Sequence, residues 1–137
     1  METLFEQIVL TYLTHTGDTF VCPQFPIRDE QGRPWSNPDF VALQFTTERK
    51  VVHIVEVSTA YDLSGLADRI NNRHAQWIDK LKSHLTKLAA IDDTWSFVVQ
   101  AFVRKERRAD LERRITNNEG VSVQGLEDIA FQWKWLA

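Results

Sequence analysis

The chain has 137 residues, of which 43% are hydrophobic and 26% charged, and its formal net charge is −3. This size and composition predict one globular domain over residues 1–137, without repeats or low-complexity segments. The acidic balance argues against a passive nucleic-acid coat protein, which is normally basic overall. The one cysteine, Cys22, excludes an internal disulfide bond.

Nothing in the sequence predicts export or a membrane span. The first residues lack the basic segment and the following apolar stretch of a signal peptide. No apolar run approaches the ~18 residues that a membrane-spanning helix requires. We therefore expect a cytoplasmic protein that has no membrane partner.

The first half of the chain has one helical pattern followed by three strand patterns. Apolar residues at helical spacing predict a helix over residues 2–15. Loose alternation predicts a strand over 19–25, at a sheet edge because its proline cannot donate a ladder hydrogen bond. A polar loop over 28–38 comes next. Strands over 39–45 and 50–59 follow, joined by a hairpin turn.

The second half begins with the longest helical pattern, over residues 63–90. An apolar strand over 95–103, which we expect at the centre of the sheet, precedes a charged helix over 105–116 and a short strand over 121–124. The order α-β-β-β-α-β predicts an α/β fold in which helices flank a mixed central sheet, with a C-terminal helix and strand extension.

The C-terminal tail has an ambiguous pattern. Ile129, Phe131, Trp133 and Trp135 alternate with less apolar residues, which favours a strand. A helical turn starting at 126–128 is the alternative. Tryptophans on such a tail are more often used in packing or at an interface than in chemistry, so the tail is also a candidate surface for a homodimer.

Two acidic residues stand at the ends of the middle strands. Residues two apart in a strand share a face, so Glu56 points the same way as Val52 and Ile54. A hairpin register can set Asp39 beside Glu56. Two carboxylates at that distance repel each other, and a hard divalent cation such as Mg²⁺ relieves the repulsion because it prefers oxygen ligands. The strands therefore predict a metal-binding pair.

Two short segments resemble the PD-(D/E)xK signature of restriction-endonuclease-like nucleases: Asn37-Pro38-Asp39-Phe40 and Val55-Glu56-Val57-Ser58. The α-β-β-β-α-β order is also the core of that superfamily, so the resemblance covers roughly residues 1–104. It implies that Asp39 and Glu56 bind Mg²⁺ or Mn²⁺ with the Val57 carbonyl. It also offers Glu6 of the first helix as a further ligand, with a solvated helix charge as the alternative.

Ser58 departs from the family pattern, which usually places a lysine there to offset charge on the phosphate. Some members of the superfamily carry this lysine on the following helix. At about 100° per residue, five polar residues of that helix share one flank of its apolar stripe: Arg69, Arg73, Gln76, Lys80 and Lys87. Lys80 is our first candidate for the displaced lysine and Arg73 the second, and a solvated helix face is the alternative.

The resemblance implies a metal-dependent nuclease that hydrolyses phosphodiester bonds, and we expect DNA as the partner. The predicted nucleic-acid contacts are Arg69, Arg73, Gln76, Lys80 and Trp35. Trp35 suits base stacking, with capping of the core as its alternative. The basic segment 104–114 could contact phosphates, but its interspersed acids favour a solvated helix. The alternative function is an inactive nuclease-like fold that serves as a nucleic-acid- or protein-binding module.

Overall fold

The structure, a computed structural model, describes residues 4–46 and 48–132. The strands in this part of the chain are β1 (Thr19–Pro23), β2 (Ile27–Arg28), β3 (Pro34–Ser36), β4 (Phe40–Phe45), β5 (Lys50–Ser58), β6 (Ser96–Val103) and β7 (Val121–Gly125). The α-helices are α1 (Leu4–Thr14), α2 (Ser64–Asn71), α3 (Asp79–Lys87), α4 (Arg108–Arg114) and α5 (Leu126–Gln132). A π-helical turn (His74–Ile78) precedes α3, and a 3-10 turn (Lys105–Arg107) precedes α4.

Five strands form one mixed sheet in the order β1-β4-β5-β6-β7. The pairs β1/β4 and β4/β5 are antiparallel, whereas β5/β6 and β6/β7 are parallel. The predicted α/β fold with a mixed sheet is thereby confirmed, and β1 lies at an edge as its proline indicated. The strand β5, and not β6 as we predicted, takes the central place.

Helices cover both faces of this sheet, and each face has its own apolar cluster. The helices α2, α3 and α4 pack with the π-helical turn on one face, against Val41, Ile54 and Val99 among others. The helices α1 and α5 cover the opposite face, which includes Phe40 and Val55. None of the helices in residues 4–46 and 48–132 is long and apolar enough to cross a membrane.

The predicted polar loop over 28–38 contains a two-stranded ribbon, which the sequence analysis missed. The strands β2 and β3 pair with each other and not with the main sheet. Asp29 closes the turn because its Oδ1 accepts hydrogen bonds from the N–H groups of Gln31 (3.0 Å) and Arg33 (2.9 Å). Gly32 adopts a φ of 78°, which favours glycine. The turn residues that suggested a loop therefore close a short hairpin.

The helix predicted over 63–90 is interrupted. The shared polar flank had been assigned on the assumption of one continuous α-helix. The helix α2 ends at Asn71, and a π-helical turn separates it from α3. Each π turn holds an extra residue compared with an α-turn, so side chains after it are rotated relative to those before it. The apolar stripe survives because Ile70, Trp77 and Leu81 are all fully buried. The residues from Arg69 to Lys87 therefore do not share one polar flank, as had been predicted.

The tail prediction of a strand over 129–135 is wrong for the described residues, where α5 extends to Gln132. Leu126 and Ile129 are three residues apart and both pack against the α1 face, which is helical spacing. The apparent alternation of apolar residues therefore masked a helical period. Trp133 and Trp135 lie outside the described residues, and so does the dimer surface predicted from them.

Candidate functional site

The β4/β5 hairpin brings Asp39 and Glu56 together. Phe40 pairs with Val55 in the antiparallel register, so Asp39 comes opposite Glu56 where β4 begins. The N–H of Asp39 donates to Glu56 Oε2 at 3.3 Å, and the N–H of Val57 donates to Asp39 Oδ2 at 2.7 Å. The second bond fixes the Asp39 carboxylate beside the Glu56 backbone. The two side chains thus form a carboxylate pair on the face that α2 and α3 cover.

Burial and charge together shape the behaviour of this pair. The Glu56 side chain is 12% exposed. Its burial, followed by the nearby charge of Asp39, raises the pKa of Glu56 to about 7, against an opposing effect of Arg69. The positive charge near the two carboxylates is therefore too small for both to be fully ionised at neutral pH. A cation that approached both carboxylates would favour the ionised form of Glu56.

Arg69 on α2 is the basic residue that contacts the pair. Its Nε lies 3.4 Å from Glu56 Oε1. The sequence predicted Arg69 only as a nucleic-acid contact and not as a partner of Glu56. The order of elements indicated only that α2 follows β5; that this helix packs on the face to which Glu56 points is known from the structure.

Ser58 supplies no charge at the position of the motif lysine. The residue is half-buried at the end of β5, and its hydroxyl oxygen accepts a hydrogen bond from the Ala60 N–H at 3.2 Å. The side chain therefore supports the start of the loop between β5 and α2. Any cation that assists the carboxylates must come from another element.

Lys80, the first candidate for the displaced lysine, lies on α3 beside the β2–β3 ribbon. Its Nζ sits 4.0 Å from the centroid of the Trp35 ring, an arrangement that permits a cation–π interaction. The Trp35 indole N–H donates to the Gln76 carbonyl at 2.9 Å, and the Gln76 amide contacts Ser36 Oγ at 3.4 Å. The structure thus brings together three of the predicted nucleic-acid contacts, on the ribbon side of the molecule.

An open groove of about 510 Å³ separates the ribbon from α3. Arg28, Lys80 and Lys87 line it with acidic neighbours, whereas neither Asp39 nor Glu56 does. Trp35 is 47% exposed, so it does not cap the core. The groove and the carboxylate pair are separate features of the described surface.

Arg73, the second candidate, has a different position from the one that the helical wheel indicated. The residue is only 7% exposed. Its guanidinium donates to the carbonyl oxygens of Ile70 and Glu119, both at 3.0 Å. Arg73 therefore ties the end of α2 to the loop before β7. Arg73 lies before the π-helical turn, beside the apolar stripe, and its guanidinium reaches inward to these carbonyls instead of out to solvent.

Glu6 lies half-buried on α1, the helix that covers the sheet face opposite Glu56. Within residues 4–46 and 48–132, no group of three or more His, Cys, Asp or Glu side chains is arranged to hold a metal ion. Asp39 and Glu56 are the two carboxylates that the structure brings together at this place.

The basic segment after β6 is engaged in ion pairs within itself and in contacts with other elements, since Arg104 and Arg107 donate to the carbonyls of Thr59 and Tyr61. Asp110 Oδ2 lies 2.8 Å from Arg107 Nη2 and 3.0 Å from Arg114 Nε, and Arg108 pairs with Glu112 at 2.8 Å. These are the short-range ion pairs that the alternation of charges predicted for a solvated helix.

Comparison with models of known protein families, with curated proteins and with solved structures gave no match. The likeness to restriction-endonuclease-like nucleases therefore depends on the motif residues and the element order. The geometry of the carboxylate pair is the strongest functional feature of the described residues.

Proposed function

We propose that the protein is a metal-dependent nuclease of the restriction-endonuclease-like type that hydrolyses phosphodiester bonds in DNA. One observation carries the proposal. Asp39 and Glu56 meet at the end of the β4/β5 hairpin, and Glu56 is buried beside a second acid. Burying two like charges together is costly, and a site that binds a cation gives the arrangement a purpose.

The residues present fit a hard divalent ion such as Mg²⁺ or Mn²⁺. Both candidate side chains offer carboxylate oxygen, the donor that such ions prefer, and the Val57 carbonyl is adjacent in sequence. Asp39 is held in place by the Val57 N–H. A bound divalent ion would supply positive charge to the scissile phosphate and lower the pKa of an attacking water. Asp39 and Glu56 would hold it, and Glu6 remains the further ligand that the resemblance implies.

The ribbon side of the molecule supports a nucleic-acid substrate. Trp35 is exposed and is oriented by its hydrogen bond to Gln76, and Lys80 lies over its ring. An aromatic ring beside a cation can stack on a base while the cation contacts phosphate. In this proposal Lys80 and Gln76 bind substrate, and the protein acts in the cytoplasm.

A second candidate function has its own support. Ser58 is neutral, and Glu56 already has a protein counter-ion in Arg69. A fold that had lost catalysis would need no metal and would retain only binding of nucleic acid or protein. This inactive module is the alternative that the following experiment separates from the nuclease.

The test is cleavage of supercoiled plasmid, linear duplex and single-stranded DNA with Mg²⁺ or Mn²⁺. We expect the parent protein to cut at least one substrate, and only when a divalent ion is present. The isosteric variants Asp39→Asn and Glu56→Gln should lose about 100-fold or more of the rate, because each removes a charge that the ion needs. Asp93→Asn, which changes an exposed acid outside the site, serves as the control.

Cleavage that survives both Asp39→Asn and Glu56→Gln would place the activity elsewhere and refute the assignment of the pair. If the parent cuts none of the substrates with either ion, the nuclease proposal fails. Retained DNA binding in that case would favour the inactive module.

A further inference from the structure

Arg69 is the one lysine or arginine in the described residues that forms an ion pair with Asp39 or Glu56. Lys80 and Arg73, which we predicted for the role of the motif lysine, are engaged with Trp35 and with backbone carbonyls. Ser58 contributes no charge. The cation that contacts the carboxylate pair itself therefore comes from α2.

The surroundings of Arg69 leave its side chain able to move. Its side chain is 43% exposed, in contrast to the buried Arg73. One guanidinium nitrogen lies over Gly65, at 3.6 Å from the position that a Cβ would occupy there. Arg69 meets the buried Glu56 through its Nε at 3.4 Å while much of its own side chain faces solvent, so the guanidinium is open to a second partner.

We propose that Arg69 takes the place of the missing motif lysine: it is the counter-ion of Glu56 in the free protein and contacts the scissile phosphate in the complex with substrate. This inference rests on the proposed function. A guanidinium suits the task because its planar donors match the oxygens of a phosphodiester. Once the carboxylates are neutralised by another cation, the phosphate becomes the stronger partner for Arg69.

This dual role has an unusual consequence for metal binding. Arg69 and a divalent ion compete for the negative charge of Glu56, because both are cations at the same carboxylate. Removing the guanidinium should therefore tighten metal binding while it slows cleavage. A purely structural arginine would behave differently, since its loss would disturb the site and weaken both.

The experiment compares the parent with Arg69→Gln, Arg69→Lys and Lys80→Gln. Mn²⁺ affinity is measured by calorimetry without DNA, and cleavage is measured with the substrate that the parent cuts. Arg69→Gln should bind Mn²⁺ about 5-fold more tightly, as expected for removing one charge at this range in a water-exposed setting. Its cleavage rate should fall about 100-fold, and Arg69→Lys should recover part of it.

Arg108→Gln is the matched control. Arg108 also pairs with a glutamate, Glu112, and its side chain is similarly exposed at 48%. This variant should match the parent in both measurements. A general effect of losing one surface arginine would appear here as well.

The outcomes separate this inference from the proposed function. If the parent cuts DNA and Arg69→Gln cuts equally well, or if Arg69→Gln binds Mn²⁺ more weakly, the role of Arg69 is refuted while the nuclease stands. A loss of cleavage in Lys80→Gln but not in Arg69→Gln would return the role to Lys80. A parent that cuts nothing refutes both proposals.

Discussion

At the scale of single residues, the site depends on the alternation of side chains along β5. Ile54 packs into the core under α2 and α3, so Glu56 faces the same way and meets Arg69. The sequence was sufficient to predict that Glu56 and Asp39 are neighbours. It was not sufficient to select Arg69, because that choice depends on where α2 lies over the sheet.

His53 is the main polar residue buried on the other face of β5. Its Nε2 donates to Gln44 Oε1 at 2.9 Å, and its Nδ1 accepts from Gln100 Nε2 at 2.8 Å. Burial lowers the pKa of His53 to about 4, and the Arg49 charge acts in the same direction. The neutral ring therefore fits this network, and protonation of Nδ1 would set two donors against each other.

We predict that this histidine makes stability fall in acid. A folded-state pKa of about 4, below the ordinary value of 6.5, means that the unfolded chain binds the proton more readily. The contribution of His53 is thus fully present above pH 6.5 and is lost as the pH falls through 4. Between pH 7 and 4.5 the parent should lose about 2 kcal/mol more than His53→Gln, measured by urea unfolding in EDTA.

His74→Gln is the control for this comparison, because the His74 side chain is 70% exposed. It should retain the pH dependence of the parent. Equal losses of stability in the parent and in His53→Gln would contradict the assignment of a neutral, buried imidazole.

At the scale of secondary-structure elements, the β4/β5 hairpin was the most predictable part of the chain. Its strands are apolar runs rich in valine, and the turn is closed by the Thr46 N–H, which donates to the Arg49 carbonyl at 2.8 Å. Local sequence determines both features. The element that supports the candidate site could therefore be predicted from the chain alone.

The π-helical turn before α3 could not be predicted in the same way. An extra residue in one turn changes the apolar spacing only slightly, so the stripe through Ile70, Trp77 and Leu81 still resembled one helix. The turn changes the direction of the residues that follow it, among them Lys80, which lies beside the ribbon and over the Trp35 ring. A helical wheel drawn through the turn therefore does not give the position of Lys80 relative to Arg69.

The contact between the ribbon and the π-helical turn gives an element-scale prediction. Ser36 Oγ accepts from the indole N–H of Trp77 at 3.1 Å, and Trp77 is fully buried. Ser36→Ala would leave that donor without an acceptor, which typically costs about 1–3 kcal/mol. We expect the free energy of unfolding to fall by about that amount in urea titrations. No loss of stability would show that the indole finds another acceptor.

Ser122→Ala is a suitable control for this prediction. Ser122 lies on β7 and is exposed, so its replacement tests the general effect of removing a serine hydroxyl from a strand. The change in its free energy of unfolding should stay within about 0.5 kcal/mol.

At the scale of the whole molecule, the order of the strands determines where a ligand can bind. The strands β5 and β6 are parallel and are joined through α2 and α3. Glu56 and Ser58 lie at the carboxyl end of β5, beside the carboxyl end of β6. Crevices beyond the carboxyl ends of parallel strands are common ligand sites in α/β proteins. The candidate site therefore occupies a favourable place in the fold.

The overall architecture followed from the pattern of elements, whereas its less regular parts did not. Apolar strands separated by a long helical stretch indicated a mixed sheet between helices. A strand was favoured over the helical alternative for α5 because Ile129 fits both patterns equally well until Leu126 is seen to pack on α1. Tertiary contacts decide such cases, and a single sequence does not contain them explicitly.

The most direct test of the central claim is diffraction from crystals grown with Mn²⁺, using the anomalous signal of the ion. The account predicts an anomalous peak in contact with the carboxylates of Asp39 and Glu56, and no peak there in Glu56→Gln crystals prepared in the same way. A fully occupied Mn²⁺ elsewhere with none at this pair, or no bound ion at millimolar Mn²⁺, would contradict the proposal that these two acids form a metal-dependent active site.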